Sequence, residues 1–140
     1  MFSTKLVLYY DILASHSLDT NPEPHFHIWK TTLTFAGKPI RGKIIDLPTL
    51  ESMVKTCVSK LENTYLNQNE YLLPETQSYP TCETTGASLF TIINRDVLSK
   101  LKDLNPTLKL LSVQVTLCDP TSGKVFGSAI TEPDEQVLRN

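Results

Sequence analysis

Residues 5–16 form an apolar run rich in Leu, Val, Ile and Tyr, which reads as a strand, and a period of two puts Leu6, Leu8, Tyr10, Ile12, Ala14 and His16 on one face of the extended chain. No Gly or Pro interrupts the run. The segment HFHIWKTTLTFA, residues 25–36, repeats the pattern and places His25, His27, Trp29, Thr31, Leu33 and Phe35 on one face of a second strand, antiparallel to the first. Between the two lie Asp19, Asn21, Pro22 and Pro24, residues that fix φ or bond their own backbone, which predicts a loop over residues 17–24.

The period then changes. Asp46 is a good N-cap and Pro48 is tolerated in a first helical turn, so a helix should start there. Leu50, Met53, Val54, Cys57, Val58 and Leu61 follow with the spacing of one helical face, and Glu51, Lys55, Ser59 and Lys60 occupy the other. Residues 63–79 are polar, contain Pro74 and hold no period, which predicts a long loop. Thr81 can cap a second helix whose apolar side runs through Leu89, Phe90, Ile92, Ile93, Val97, Leu101 and Leu104 to Asn105-Pro106, with Gly86 weakening its first turns. Residues 108–117 and 125–130 read as two more strands joined by the turn sequence Asp119-Pro120-Thr121-Ser122-Gly123. The polar tail after Thr131 should fray.

The order strand, strand, helix, helix, strand, strand predicts an α+β domain over residues 1–140: a four-stranded antiparallel sheet with both helices on one face. Such a sheet leaves one face and two edges open. Self-association covers them most simply, so a homo-oligomer is expected.

Composition narrows the class of partner. At 140 residues and 40% hydrophobic, the chain can bury a core without metal or disulfide staples. Its 13 basic and 15 acidic residues give a net charge of -2, which speaks against a broad footprint for nucleic acid or an anionic membrane. The three cysteines, Cys57, Cys82 and Cys118, are far apart and form no C-x-x-C pair, so neither a disulfide framework nor a Cys-based zinc knuckle is expected. Polar groups break up the short N-terminal apolar run, which fits neither a signal peptide nor a span. These features suggest a reducing cytoplasm. Lys30, Lys38, Arg41 and Lys43 are scattered and read as a solvated face.

All three histidines of the chain, His16, His25 and His27, fall within twelve residues. Residues 25 and 27 project from the same strand face, and His16 ends the neighbouring strand. Three imidazoles can therefore converge at one end of a hairpin. Three neutral imidazoles with an open fourth position are the ligand set of a catalytic zinc. The plainer alternative is that the three histidines only pack or face solvent in an oligomer without metal.

Five segments resemble the 6-pyruvoyltetrahydropterin synthase and 6-carboxytetrahydropterin synthase family. Ala14-Ser15-His16 is similar to its first metal motif and His25-Phe26-His27 to its H-G-H. Gly42-Lys43-Ile44-Ile45-Asp46-Leu47 is similar to the entry of its first helix. Leu61-Glu62-Asn63-Thr64-Tyr65-Leu66-Asn67 fits L-D-H-x-x-L-N in frame, and Pro80-Thr81-Cys82-Glu83 fits P-T-x-E. The likeness covers residues 6 to about 118. It implies the tunnelling fold, assembled in rings that are typically hexamers, with zinc on His16, His25 and His27. It also implies carbon–oxygen lyase chemistry on dihydroneopterin triphosphate or a related heterocycle, with Thr81 and Glu83 at the substrate.

The departures fall on catalytic positions. No cysteine precedes His25 where the family carries its base; a subgroup uses glutamate there, and Glu23 is the candidate. Glu62-Asn63 replaces the Asp-His pair, and Asn63 cannot shuttle a proton. Leu117-Cys118 stands where a pterin-anchoring Glu-Thr is expected, and Phe26 replaces the middle glycine of H-G-H. Glu83 reads equally as a charge complementing a helix N-terminus. A catalytically inactive homologue that kept the oligomeric scaffold for binding or interaction is therefore the alternative to an enzyme.

Overall fold

The computed structural model describes residues 2–134. Two long strands, β1 (Lys5–Leu18) and β2 (Asn21–Ala36), form a hairpin, and β3 (Lys109–Cys118) and β4 (Val125–Thr131) complete an antiparallel sheet of order β1-β2-β3-β4. Three helices lie between β2 and β3: α1 (Leu47–Val58), the short α2 (Pro74–Ser78) and α3 (Cys82–Ile93). A π-helical segment, Asn94–Leu98, and a last turn, Ser99–Leu101, prolong α3. The α+β arrangement is the expected one.

The alternation read from the sequence sets which face is covered. Leu8, Ile12, Ala14, Trp29, Leu33, Phe35, Val113 and Val115 are buried against α1 and α3, which contribute Leu50, Val54, Leu89, Ile92 and Ile93. Val7, Tyr9, Phe26 and Lys30, one residue out of step, are exposed on the other face. Asp46 caps α1 by accepting from the Thr49 N–H, and Thr81 and Thr84 cap α3 reciprocally, each hydroxyl accepting from the other's N–H. Gly86 is demanded by packing: a Cβ there would lie 2.7 Å from Thr131 Oγ1, so the glycine lets α3 approach β4.

Two expectations need correction. Residues 17–24 are not a loop, because β1 runs on to Leu18 and β2 begins at Asn21, leaving Asp19 and Thr20 as the turn. Pairing passes from His16↔His25 to Leu18↔Asn21, so Pro22, Glu23 and Pro24 bulge opposite Ser17 alone. Pairing of β2 with β3 starts only at Ile28. Bulges and unpaired edges are where a strand tolerates proline, since no ladder bond is lost.

Residues 63–79 likewise contain α2 and a 3₁₀ turn, Leu66–Gln68. Both are too short to show a period. Buried Leu66, Leu72 and Thr76 tie the segment down, with Thr76 bonded to Ser88 and to the Thr84 carbonyl. Of the tail, residues 132–134 are exposed without regular structure, and 135–140 lie outside the described residues.

Candidate metal centre

The hairpin register creates the cluster. His16 pairs directly with His25, and Ala14 with His27, so His27 stands diagonally across from His16 on the same face. Ring centroids lie 4.5 Å apart for His16–His25, 5.0 Å for His16–His27 and 4.9 Å for His25–His27. One nitrogen of each ring lies within 4.8 Å of the others, and no carboxylate or thiol joins the group among the described residues.

What surrounds the rings decides their orientation. His16 is buried, and its Nδ1–H donates to the Pro80 carbonyl at 2.7 Å; His25 Nδ1–H donates to the Glu23 carbonyl at 2.9 Å. Both rings thus keep Nε2 free, and backbone carbonyls in this role fix ring orientation and raise ligand basicity. Nδ1 of His27 is buried with no hydrogen-bond partner. Trp29 floors the cluster edge-on to His16 at 4.9 Å, its own Nε1–H spent on the Ala14 carbonyl at 3.1 Å.

Burial holds His16 below the ordinary imidazole pKa; the Pro80 bond opposes this, and the neighbouring His25 and His27 add to it. Burial also lowers His27, with His25 adding to the effect and the Cys118 backbone and Asp119 charge opposing it. Three imidazoles offering nitrogens within 4.8 Å of one another, with His27 Nδ1 orphaned, fit a cation of the Zn²⁺ type. A cluster built only for packing would have satisfied that nitrogen.

The end of β1 is clamped from its outer side. Asn67 accepts from the Ser17 N–H at 2.9 Å and donates to the Ser17 carbonyl at 3.0 Å, one residue beyond His16. Asn63, at φ 57°, donates its N–H to the Leu13 carbonyl at 2.7 Å, and Glu62 Oε2 accepts from the Leu13 N–H at 3.0 Å. Thr64 adds a bond from the Ser15 N–H.

The remaining candidates are placed as follows. Glu23 occupies the bulge, exposed, and its backbone carbonyl rather than its carboxylate touches the cluster. Pro80 brings the P-T-x-E segment against His16. In that segment the Thr81 hydroxyl is occupied in the α3 cap, and Glu83 is exposed in the first turn. Burial first, then Glu83, pushes the Cys82 thiol up to about 11, so it stays protonated near neutrality. Lys38, Arg41 and Lys43 follow the far end of β2, and at about 3.3 Å per residue Ala36 already lies roughly 30 Å from His27. Three neighbours of the cluster carried no sequence signal: the Pro80 carbonyl, Asp119, and Phe126, whose ring lies 5.6 Å from His27.

A model of the 6-pyruvoyl tetrahydropterin synthase family matches residues 9–125. The chain belongs to that family. Solved structures agree in fold: the Caenorhabditis elegans 6-pyruvoyl tetrahydropterin synthase is 15% identical, with a TM-score of 0.59 over 96% of this chain and 98% of that one. The Plasmodium falciparum enzyme is 16% identical, with a TM-score of 0.62 over 94% and 98%. For the Plasmodium vivax enzyme the values are 14%, 0.62, 95% and 100%. A search of the curated proteins finds no significant match. The sheet, its helices and their order are those of the tunnelling fold. Within this family framework, Glu62 and Asn63 clamp backbone where the motif has Asp-His, and no helix is long and apolar enough to cross a membrane.

Proposed function

We propose that this chain is a zinc-binding 6-pyruvoyl/6-carboxytetrahydropterin synthase-like enzyme acting on dihydroneopterin triphosphate or a related heterocycle. The observation that carries this reading is the convergence of His16, His25 and His27, which bring one nitrogen each within 4.8 Å of the others. These three residues would hold the metal, which supplies Lewis acidity toward substrate oxygens. The chain's own part is to orient the rings through Pro80, Glu23 and Trp29, while burial holds His16 and His27 below the ordinary imidazole pKa.

Glu23 is the candidate general base. In the Plasmodium vivax enzyme a glutamate is a catalytic residue, changed to alanine in one solved variant and to cysteine in another, which supports a carboxylate in this role. Glu83 is the candidate acceptor for ring N–H groups, and Thr81 fixes the turn that presents it. A homo-oligomer, a hexamer by family resemblance, and a cytoplasmic setting complete the proposal.

A second reading is a non-catalytic homologue that retains the scaffold for binding. It is favoured by the engagement of Glu62 and Asn63 with β1 backbone, which leaves no proton relay at those positions. The test is zinc per chain in tag-free protein, with and without His27→Ala, followed by incubation of the zinc-loaded protein with dihydroneopterin triphosphate. One zinc per chain, lost in the variant, together with product formation is expected. Zinc without product moves the assignment to the second reading, and zinc unchanged in His27→Ala overturns the site.

A further inference from the structure

The end of the β3–β4 turn and the start of β4 set a ring against the histidine cluster and a cation against that ring, and no motif singles out either. The Phe126 ring stands edge-on to His27, with centroids 5.6 Å apart and planes at 84°. Even so, Phe126 remains 52% exposed. The Lys124 ammonium lies 5.6 Å from the centre of the same ring, within cation–π reach. The sequence His27, Phe126, Lys124 thus runs outward from the metal-binding nitrogens to solvent.

The backbone of Lys124 is held in place by the turn. Its carbonyl accepts from the Asp119 N–H at 2.8 Å, and its N–H donates to Ser122 Oγ at 3.2 Å. Gly123 supplies the positive φ of 75° that closes the turn. Among the described residues no carboxylate pairs with the Lys124 ammonium. Asp119, the carboxylate of the turn, is committed elsewhere: its Oδ2 accepts from Thr121 N–H, Ser122 N–H and Ser122 Oγ–H. A lysine anchored at its backbone, without a counter-charge and beside a half-exposed ring is arranged for an anion arriving with the substrate.

We propose that Phe126 and Lys124 are specificity-determining residues of the histidine site. Phe126 forms an apolar wall beside the metal-binding atoms, and Lys124 supplies the charge that selects a phosphorylated substrate over its dephosphorylated form. This rests on the function proposed above, and it assigns the substrate's anionic end to Lys124, at the end of the β3–β4 turn, rather than to Lys30, Lys38, Arg41 or Lys43.

The first arm of the test uses inorganic tripolyphosphate and metal-free protein, so that neither a heterocycle nor zinc is involved. Calorimetric titration should show binding that weakens with salt. Lys124→Gln should lose about fivefold or more, Lys124→Arg should stay within about twofold, and the remote Lys100→Gln should be unchanged, as expected for a charge-assisted phosphate contact. No binding by the native protein, or equal binding by Lys124→Gln, overturns the proposal.

The second arm uses zinc-loaded protein with neopterin triphosphate and neopterin, followed by ligand fluorescence anisotropy. Lys124→Gln should erase most of the preference for the triphosphate, whereas Phe126→Ala should weaken both ligands alike. An unchanged preference in Lys124→Gln with zinc and pterin binding intact overturns this inference and leaves the proposed function standing. Failure of the native protein to hold zinc or any pterin removes the proposed function, while the tripolyphosphate arm still decides the role of Lys124.

Discussion

Two clusters of titratable side chains in this molecule have opposite hydrogen-bond economies. Between α1 and the π-helical segment, the Tyr71 hydroxyl donates to Asp96 Oδ2 at 3.1 Å, Arg95 donates to both Asp96 oxygens, and the Lys60 ammonium lies 4.3 Å from the Tyr71 ring centre. Each polar group there has its partner within the cluster. At the hairpin end, His16 and His25 commit one nitrogen each to a backbone carbonyl, one nitrogen of each of the three rings lies within 4.8 Å of the others, and His27 Nδ1 is left without a partner. The first arrangement ties the segment that follows α1 to the π-helical segment. The second leaves a buried nitrogen unsatisfied, and it is this difference, more than the density of charge, on which the proposed metal site rests.

The largest expected effect separates the clusters outright. His27→Ala should lower zinc affinity by more than the roughly 10- to 100-fold that loss of an outer hydrogen-bond partner costs, read by competition with a chelator. Tyr71→Phe should leave zinc binding where it was. A comparable zinc loss in both variants would erase the distinction.

Acidity should act next. His16 and His27 sit below the ordinary imidazole pKa, so they are neutral near pH 7 and compete with protons only in more acidic solution. Zinc affinity should be level around neutrality and fall as pH drops below about 6.5. The metal-free protein should also lose stability over that window, because the unfolded chain takes up protons before the folded one does. Stability that rises on acidification would contradict the burial of these rings.

Asn67→Ala removes both bonds to Ser17. It should cost about 1–2 kcal/mol in denaturant unfolding. It should also weaken zinc by less than His27→Ala does, because His16 loses its clamp and not its ligand atom. Tyr71→Phe should cost about 1 kcal/mol of stability, for one lost hydrogen bond. The smallest effect belongs to Asp96, whose carboxyl the Arg95 guanidinium and the Tyr71 hydroxyl hold down at about 2 against the opposing effect of burial. A pKa lowered by folding stabilises above the unfolded value near 3.8, and that contribution disappears as pH falls toward 2. Asp96→Asn should flatten this acid limb slightly, since the pair is largely solvated.

The strands and both long helices were legible because each is longer than two periods of its own pattern. The two misread segments were local in a different way. Pro22 and Pro24 predict a break wherever a continuous ladder is assumed, but here they occupy a bulge opposite Ser17, with β3 ending at Cys118 beside Ile28. Residues 74–78 form a helix because Thr76 finds Ser88, a partner supplied by α3. Spacing alone brought His16, His25 and His27 to one face. Asp119, Lys124 and Phe126 could not be placed beside them from sequence, since they lie about a hundred residues away along the chain.

The sequence by itself determined the period of each element, the caps at Asp46 and Thr81, and the hairpin that pairs His16 with His25, because these depend on neighbours a few residues apart. Only the tertiary structure decided which carbonyls orient the imidazoles, that Glu62 and Asn63 clamp a strand edge, and that the start of β4 sets a ring beside the cluster. Those contacts join residues 49 to more than 90 positions apart. Their formation follows from burying the covered face of the sheet against α1 and α3, a property of the whole core that no local pattern encodes.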